Sequence, residues 1–213
     1  MYQIIKNFRN ISSYSRVSLN ESRLRNYLIY HFKAIWYESK VDEAWNLVVY
    51  VPAKNSKSKN TVIIQSQLDM VCVKGKKSDI DFVNEAVDYF VKNDKIYSKQ
   101  TSLWLSSSVA ISIMMNLVEL ESHPNLELLF TVSKEKWLIW SQSLDKDMLS
   151  GNTLINLNHH FENEIVTSGT TATLIDFSKK FELAKITEKK YILNISNLSG
   201  WNAFITNKLN ILK

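Results

Sequence analysis

The run Thr61-Val62-Ile63-Ile64-Gln65-Ser66-Gln67-Leu68-Asp69-Met70-Val71 decides the fold. Its β-branched start reads as a buried parallel strand, apolar on both faces. The strand ends in a polar pair, Gln67 and Asp69, set around Leu68. Open α/β sheets bind ligands outside the C-terminal ends of their strands, so these two residues are the first candidates for a site.

Working outward, Met1 to Arg9 reads as a short helix. Ser18-Leu19-Asn20-Glu21 has the form of a capping box and opens an amphipathic helix with Leu24, Tyr27, Leu28, His31 and Ile35 on one face. Asn46 to Val51 is a strand, and the polar stretch Lys54 to Asn60 joins it to the central one. Two short strands around Asn93-Asp94 form a hairpin between Phe82 and Ser98. Ser106 to Leu120 is a helix with Val109, Ile113, Leu117 and Leu120 at helical spacing. Leu126 to Val132 is a second buried strand, ending at Ser133-Lys134-Glu135. A helix from Trp137 and a strand Thr153 to Asn156 follow, the latter running into Asn158-His159-His160. This alternation predicts an α/β fold: a mixed, mostly parallel sheet with helices on both faces, over residues 1–170. Residues 171–213 read as the start of a separate α+β unit.

Bulk composition excludes several classes. A hydrophobic content of 45% fills a real core. The charge of +5 is spread along the chain. The small clusters Lys54, Lys57, Lys59 and Lys74, Lys76, Lys77 read as solvated loops, so no nucleic-acid partner is expected. One cysteine, Cys72, excludes an internal disulfide framework and fits a reducing, cytoplasmic setting. No apolar run reaches the roughly 20 residues of a membrane span. The 4 glycines are few, since average usage predicts about fifteen.

Five segments, in order, resemble the bacterial cytosolic aminoacyl-histidine dipeptidases, relatives of carnosinases with a co-catalytic dizinc site. Gln67-Leu68-Asp69-Met70-Val71 resembles their His-Leu-Asp-Met-Val. Thr101 to Ala110 resembles Thr-Thr-Leu-Gly-Ala-Asp-Asn-Gly-Ile-Gly, and Thr131-Val132-Ser133-Lys134-Glu135 resembles Thr-Met-Thr-Glu-Glu. Leu154 to Asn158 resembles Leu-Ile-Asn-Thr-Asp, and Leu198 to Ala203 lies where the family has Gly-Gly-His-Ser. The resemblance implies a catalytic α/β domain over 1–170, then a truncated first part of a lid or dimerisation domain over 171–213.

Carried over position by position, the resemblance puts the first histidine ligand on Gln67 and the bridging aspartate on Ser106. The general-base glutamate falls on Lys134, and its neighbouring glutamate is kept as Glu135. The next aspartate ligand falls on Asn158, and the second-half histidine near Trp201 or Asn202. Asp69, which in the family orients the first histidine, is retained. Zinc needs imidazole, thiolate or carboxylate donors and a base for its water. Amides, a hydroxyl and an ammonium are the wrong set, so the expectation is an inactive dipeptidase-like protein with no metal. Lys134 is expected to pair with Asp69 or Glu135 in place of the ions.

Trp104, Trp137, Trp140 and, by its place in the chain, Trp201 stand where the motifs carry glycine or small residues, either as rings that fill the cleft or as drift from glycine codons to a codon that some codes read as tryptophan. His159-His160, adjacent on a strand, point to opposite faces and make a poor pair of ligands for one ion. His31, His123 and Cys72 read as structural, and Ser106-Ser107-Ser108 as a helix cap. Rival readings are an active zinc dipeptidase using Glu135 and a histidine, or one completed by a second chain, and a decaying gene product. Expected partners are a dipeptide or peptide and, in assembly, a second copy or a complementing chain.

Overall fold

The computed structural model describes residues 2–93, 95–103, 105–133, 142–158 and 164–167, with side chains in the third helix from Ser107 onward. The expected helix from Trp137, the tryptophans at 104, 137, 140 and 201, and the α+β unit of 171–213 lie outside these residues. All the elements below belong to the unit Met1–Glu164.

Helix α1 spans Tyr2–Ser12 and α2 spans Ser22–Ala34. Strands β1 (Glu38–Val41), β2 (Leu47–Val51) and β3 (Thr61–Gln67) follow. The hairpin β4 (Tyr89–Lys92) and β5 (Lys95–Ser98) leads to α3 (Leu105–Leu117), β6 (Asn125–Thr131) and β7 (Thr153–Asn156). The sheet order is β1-β2-β6-β3-β7. β3 lies between β6 and β7, parallel to both, while β2 runs antiparallel to β1 and to β6. Four of the five strands therefore share one direction, as the sequence pattern predicts.

Period-two alternation splits each strand between two layers. Leu47, Val49 and Val51 of β2, Ile64 of β3, and Leu126, Leu128 and Phe130 of β6 face the helices, where they meet Leu24, Leu28, Phe32, Ile111 and Met114. The opposite face buries Val48, Ile63, Leu129 and Met148, the last from a 3-10 turn Lys146–Met148. The turn is tied down by the Tyr50 hydroxyl, which donates to the Met148 carbonyl at 2.9 Å. Gly151 passes so close to the sheet that a Cβ there would stand 2.8 Å from the Ile63 side chain and 2.9 Å from the Thr61 carbonyl.

The two helix faces match the expected ones only in part. α3 buries Ala110, Ile111, Met114 and Met115 and exposes Val109; past its end, Val118 is buried and Leu120 is exposed. The helix is apolar almost all round, so spacing alone does not fix its rotation; packing against α1 and β3 does. On α2, Leu24 and Leu28 are buried and Tyr27 packs on the core as expected, but Arg25 and Phe32 are buried as well, and Ile35, outside the helix, is 39% exposed.

Candidate functional site

At its C-terminal end β3 passes into Leu68-Asp69-Met70, and residues 15–18 run beside it. Val17 bridges Met70 in parallel register, and the Met70 amide donates to the Arg16 carbonyl at 3.0 Å. This short pairing delivers two side chains to the edge. Arg16, only 3% exposed, donates from Nη1 to Ser107 Oγ at 2.7 Å and to the Leu68 carbonyl at 3.2 Å, and from Nη2 to Ser108 Oγ. Ser18 donates its hydroxyl to Asp69 Oδ2 at 2.7 Å. Burial pulls the Arg16 pKa down to about 10, against the pull of the Asp69 carboxylate and of Cys72. A cation at neutral pH thus sits in the protein beside fully buried Asp69. Burial also raises the Cys72 pKa, so the thiol stays protonated, in keeping with a structural role.

These contacts correct two sequence readings. Ser18 does not cap α2: the N-cap position is Glu21, with φ −81° and ψ −4° and no side-chain cap bond. Glu21 instead reaches β6's end, where Oε1 accepts from the Ser133 amide at 2.9 Å and from its hydroxyl at 3.3 Å. Burial raises the Glu21 pKa; the Ser133 amide opposes this and the Asp69 charge adds to it. Likewise, Ser107 and Ser108 hold a guanidinium.

On the other face of the sheet edge, amides take over. Asn156 donates to Gln65 Oε1, and Gln65 Nε2 donates to Thr131 Oγ1 at 2.9 Å. One step further along, Asn158 Nδ2 donates to Gln67 Oε1 at 2.9 Å, and Gln67 Nε2 donates weakly to the Asp69 carbonyl at 3.4 Å. The structure thus brings two candidate residues, Gln67 and Asn158, into direct contact. Two donors on one tetrahedral zinc, each about 2.1 Å from it, stand about 3.4 Å apart. The Gln67–Asn158 separation is that of a hydrogen bond instead. Asn158 Oδ1 is buried without a partner among the described residues, but a lone amide oxygen is a poor zinc donor. Among those residues no three of His, Cys, Asp and Glu gather into a group able to hold a metal ion. The described donor set does not fit zinc.

Of the remaining candidates, Ser106 occupies the second position of α3, with its side chain outside the described set. Lys134, Glu135, His159 and His160 also lie outside it, and with them the expected Lys134 pairing. Sequence reasoning missed Arg16, and took Ser18, Ser107 and Ser108 for helix caps. Nothing periodic or motif-like marks Arg16, whose partners lie 52 to 92 positions away.

The layered, mostly parallel sheet with its polar C-terminal edge is an α/β fold that recurs in solved peptidase structures. No family model matches the chain. Among solved structures, an aminoacylhistidine dipeptidase from Vibrio alginolyticus superposes with a TM-score of 0.72 at 21% identity, over 75% of this chain and 33% of that one. A tripeptidase from Staphylococcus aureus gives 0.63 at 20% identity, over 74% and 43%. In sequence, the chain is homologous to the cytosol non-specific dipeptidase of Escherichia coli strain K12, 24% identical over 179 residues. That match covers 83% of this chain and 36% of the dipeptidase, so the chain spans about a third of its relative's length.

Proposed function

We propose that this chain is a dipeptidase-like domain that does not hydrolyse peptides by metal chemistry and instead holds a short peptide at its sheet edge, in the cytoplasm. The observation that carries the reading is the 2.9 Å bond between Gln67 and Asn158. The resemblance assigns both positions to metal ligands, and here each amide takes the other as its partner. A hydrolase at this edge needs a group that polarises water and a base that accepts its proton. Gln65, Gln67, Thr131, Asn156 and Asn158 supply neither, whereas their carbonyls, amides and hydroxyl suit the uncharged backbone of a peptide.

The test is metal analysis of the purified chain after incubation with zinc and gel filtration, together with an assay on an Xaa-His dipeptide. The expected result is zinc far below stoichiometric and no cleavage above the protein-free rate, with the dipeptide still bound in equilibrium dialysis. One zinc per chain with cleavage abolished by a chelator overturns the reading.

A further inference from the structure

A cavity of about 870 Å³ opens between the start of α2, the turn joining β1 to β2, and the residues that follow β6. This lies within the range of about 300–1,000 Å³ typical of small-molecule sites. Glu21, Arg25, Glu43, Trp45 and Ser133 line it, and none of them belongs to the amide ladder. Arg25 is 8% exposed, and its guanidinium is stacked over the Trp45 ring at 4.8 Å. No hydrogen-bond acceptor among the described residues takes its N–H groups, although the nearby Glu21 carboxylate partly offsets the effect of burial on its charge. A guanidinium is a planar fork of five donors, matched to a carboxylate. Trp45 itself is 61% exposed, which leaves indole surface open to solvent.

The backbone at this place is unusual. Leu19, Trp45 and Ser133, all lining the cavity, hold φ of 74°, 71° and 51°. Bulky residues avoid that region unless their surroundings impose it, and such positions concentrate at binding sites. The charges set the ligand's character. Arg25 asks for a carboxylate, while Glu21 and Glu43 would repel a bare anion and favour a cation beside it. The indole adds apolar contact.

We infer that this cavity is a binding site for a free amino acid with an apolar side chain, its carboxylate on Arg25, its ammonium toward Glu43 and its side chain on Trp45. The inference does not depend on the absence of hydrolysis, because the cavity and the amide ladder share no residue. Calorimetric titration of the full chain with L-phenylalanine, 3-phenylpropionate and phenethylamine tests it. L-Phenylalanine is expected to bind, and the analogues lacking the ammonium or the carboxylate to bind at least about tenfold more weakly. Arg25→Gln should weaken L-phenylalanine by about tenfold or more, and Asn158→Ala should leave it unchanged. Because Arg25 is buried, Trp45→Ala, at an exposed side chain, serves as the second variant and should weaken binding in a chain of unaltered circular dichroism. No heat with L-phenylalanine at millimolar concentration, equal affinity for the three compounds, or undiminished binding in Trp45→Ala each overturns the inference.

Discussion

Replacing Arg16 by methionine sets two large effects against each other. The guanidinium's environment disfavours its charge: a pKa brought down to about 10 corresponds to roughly 3 kcal/mol against the cation. Removing it relieves that cost. It also deletes three hydrogen bonds from a charged donor, to Leu68, Ser107 and Ser108, each contributing about 1.5–3 kcal/mol. Asp69 is meanwhile left fully buried without its nearby cation, and breaking such a buried arrangement from one side costs about 3–5 kcal/mol. The losses win: even at the low end, three bonds at about 1.5 kcal/mol and about 3 kcal/mol at Asp69, less the roughly 3 kcal/mol relieved, leave a net destabilisation of about 4.5 kcal/mol. In urea, at about 1.5–2 kcal/mol per molar, the midpoint should fall by roughly 2–3 M. The double variant Arg16→Met with Asp69→Leu removes both buried charges and should be more stable than Arg16→Met alone. A midpoint shift below about 0.5 M for the single variant, or a double variant less stable than the single, refutes the reasoning.

Glu21→Gln probes the opposite sign. Because the folded carboxyl holds its proton more tightly than the unfolded one, its contribution is fully present below the unfolded pKa and is lost as pH rises through the folded value. Glu21→Gln keeps the acceptor for Ser133, so it should be more stable than the parent at pH 8, with the gap closing by pH 4 in thermal melts. Ser18→Ala deletes the 2.7 Å bond to Asp69 and should cost about 1.5–3 kcal/mol in urea denaturation while far-UV circular dichroism of the folded state is unchanged. A drop in helicity would restore the capping role. Asn158→Asp removes the donor of the 2.9 Å bond to Gln67 Oε1 and should lower stability by about 1 kcal/mol in the same assay at pH 7.

All the strands except β1 were legible because their chemistry is local; β1, Glu38-Ser39-Lys40-Val41, is a polar, mostly exposed edge strand with no apolar run to announce it. β3, β6 and β7 are apolar runs bounded by polar residues, and the hairpin turns at Asn93, with φ of 50°. Asparagine tolerates that backbone better than other side chains do. The C-terminal edge was legible too, since a strand's end places Gln67 and Asn158 near each other once β3 and β7 are known to pair. Helix rotation was not, because α3 offers apolar residues in nearly every direction. Nor was the polar core around Asp69. The Ser18–Asp69 and Glu21–Ser133 bonds join residues 51 and 112 positions apart. The local pattern Ser-x-x-Glu had a competing explanation as a helix start, and only tertiary packing decides between the two.

The amide ladder across β6, β3 and β7 also fixes how this edge responds to its surroundings. None of its five side chains gains or loses a proton across the ordinary range of acidity, so the rung spacings stay the same from vinegar-sour to soapy solutions. Amides and a hydroxyl are poor metal ligands, and these five side chains offer an oxidant no sulfur. Where imidazole and carboxylate groups in the same places would carry an acidity profile of their own, these five side chains are chemically silent.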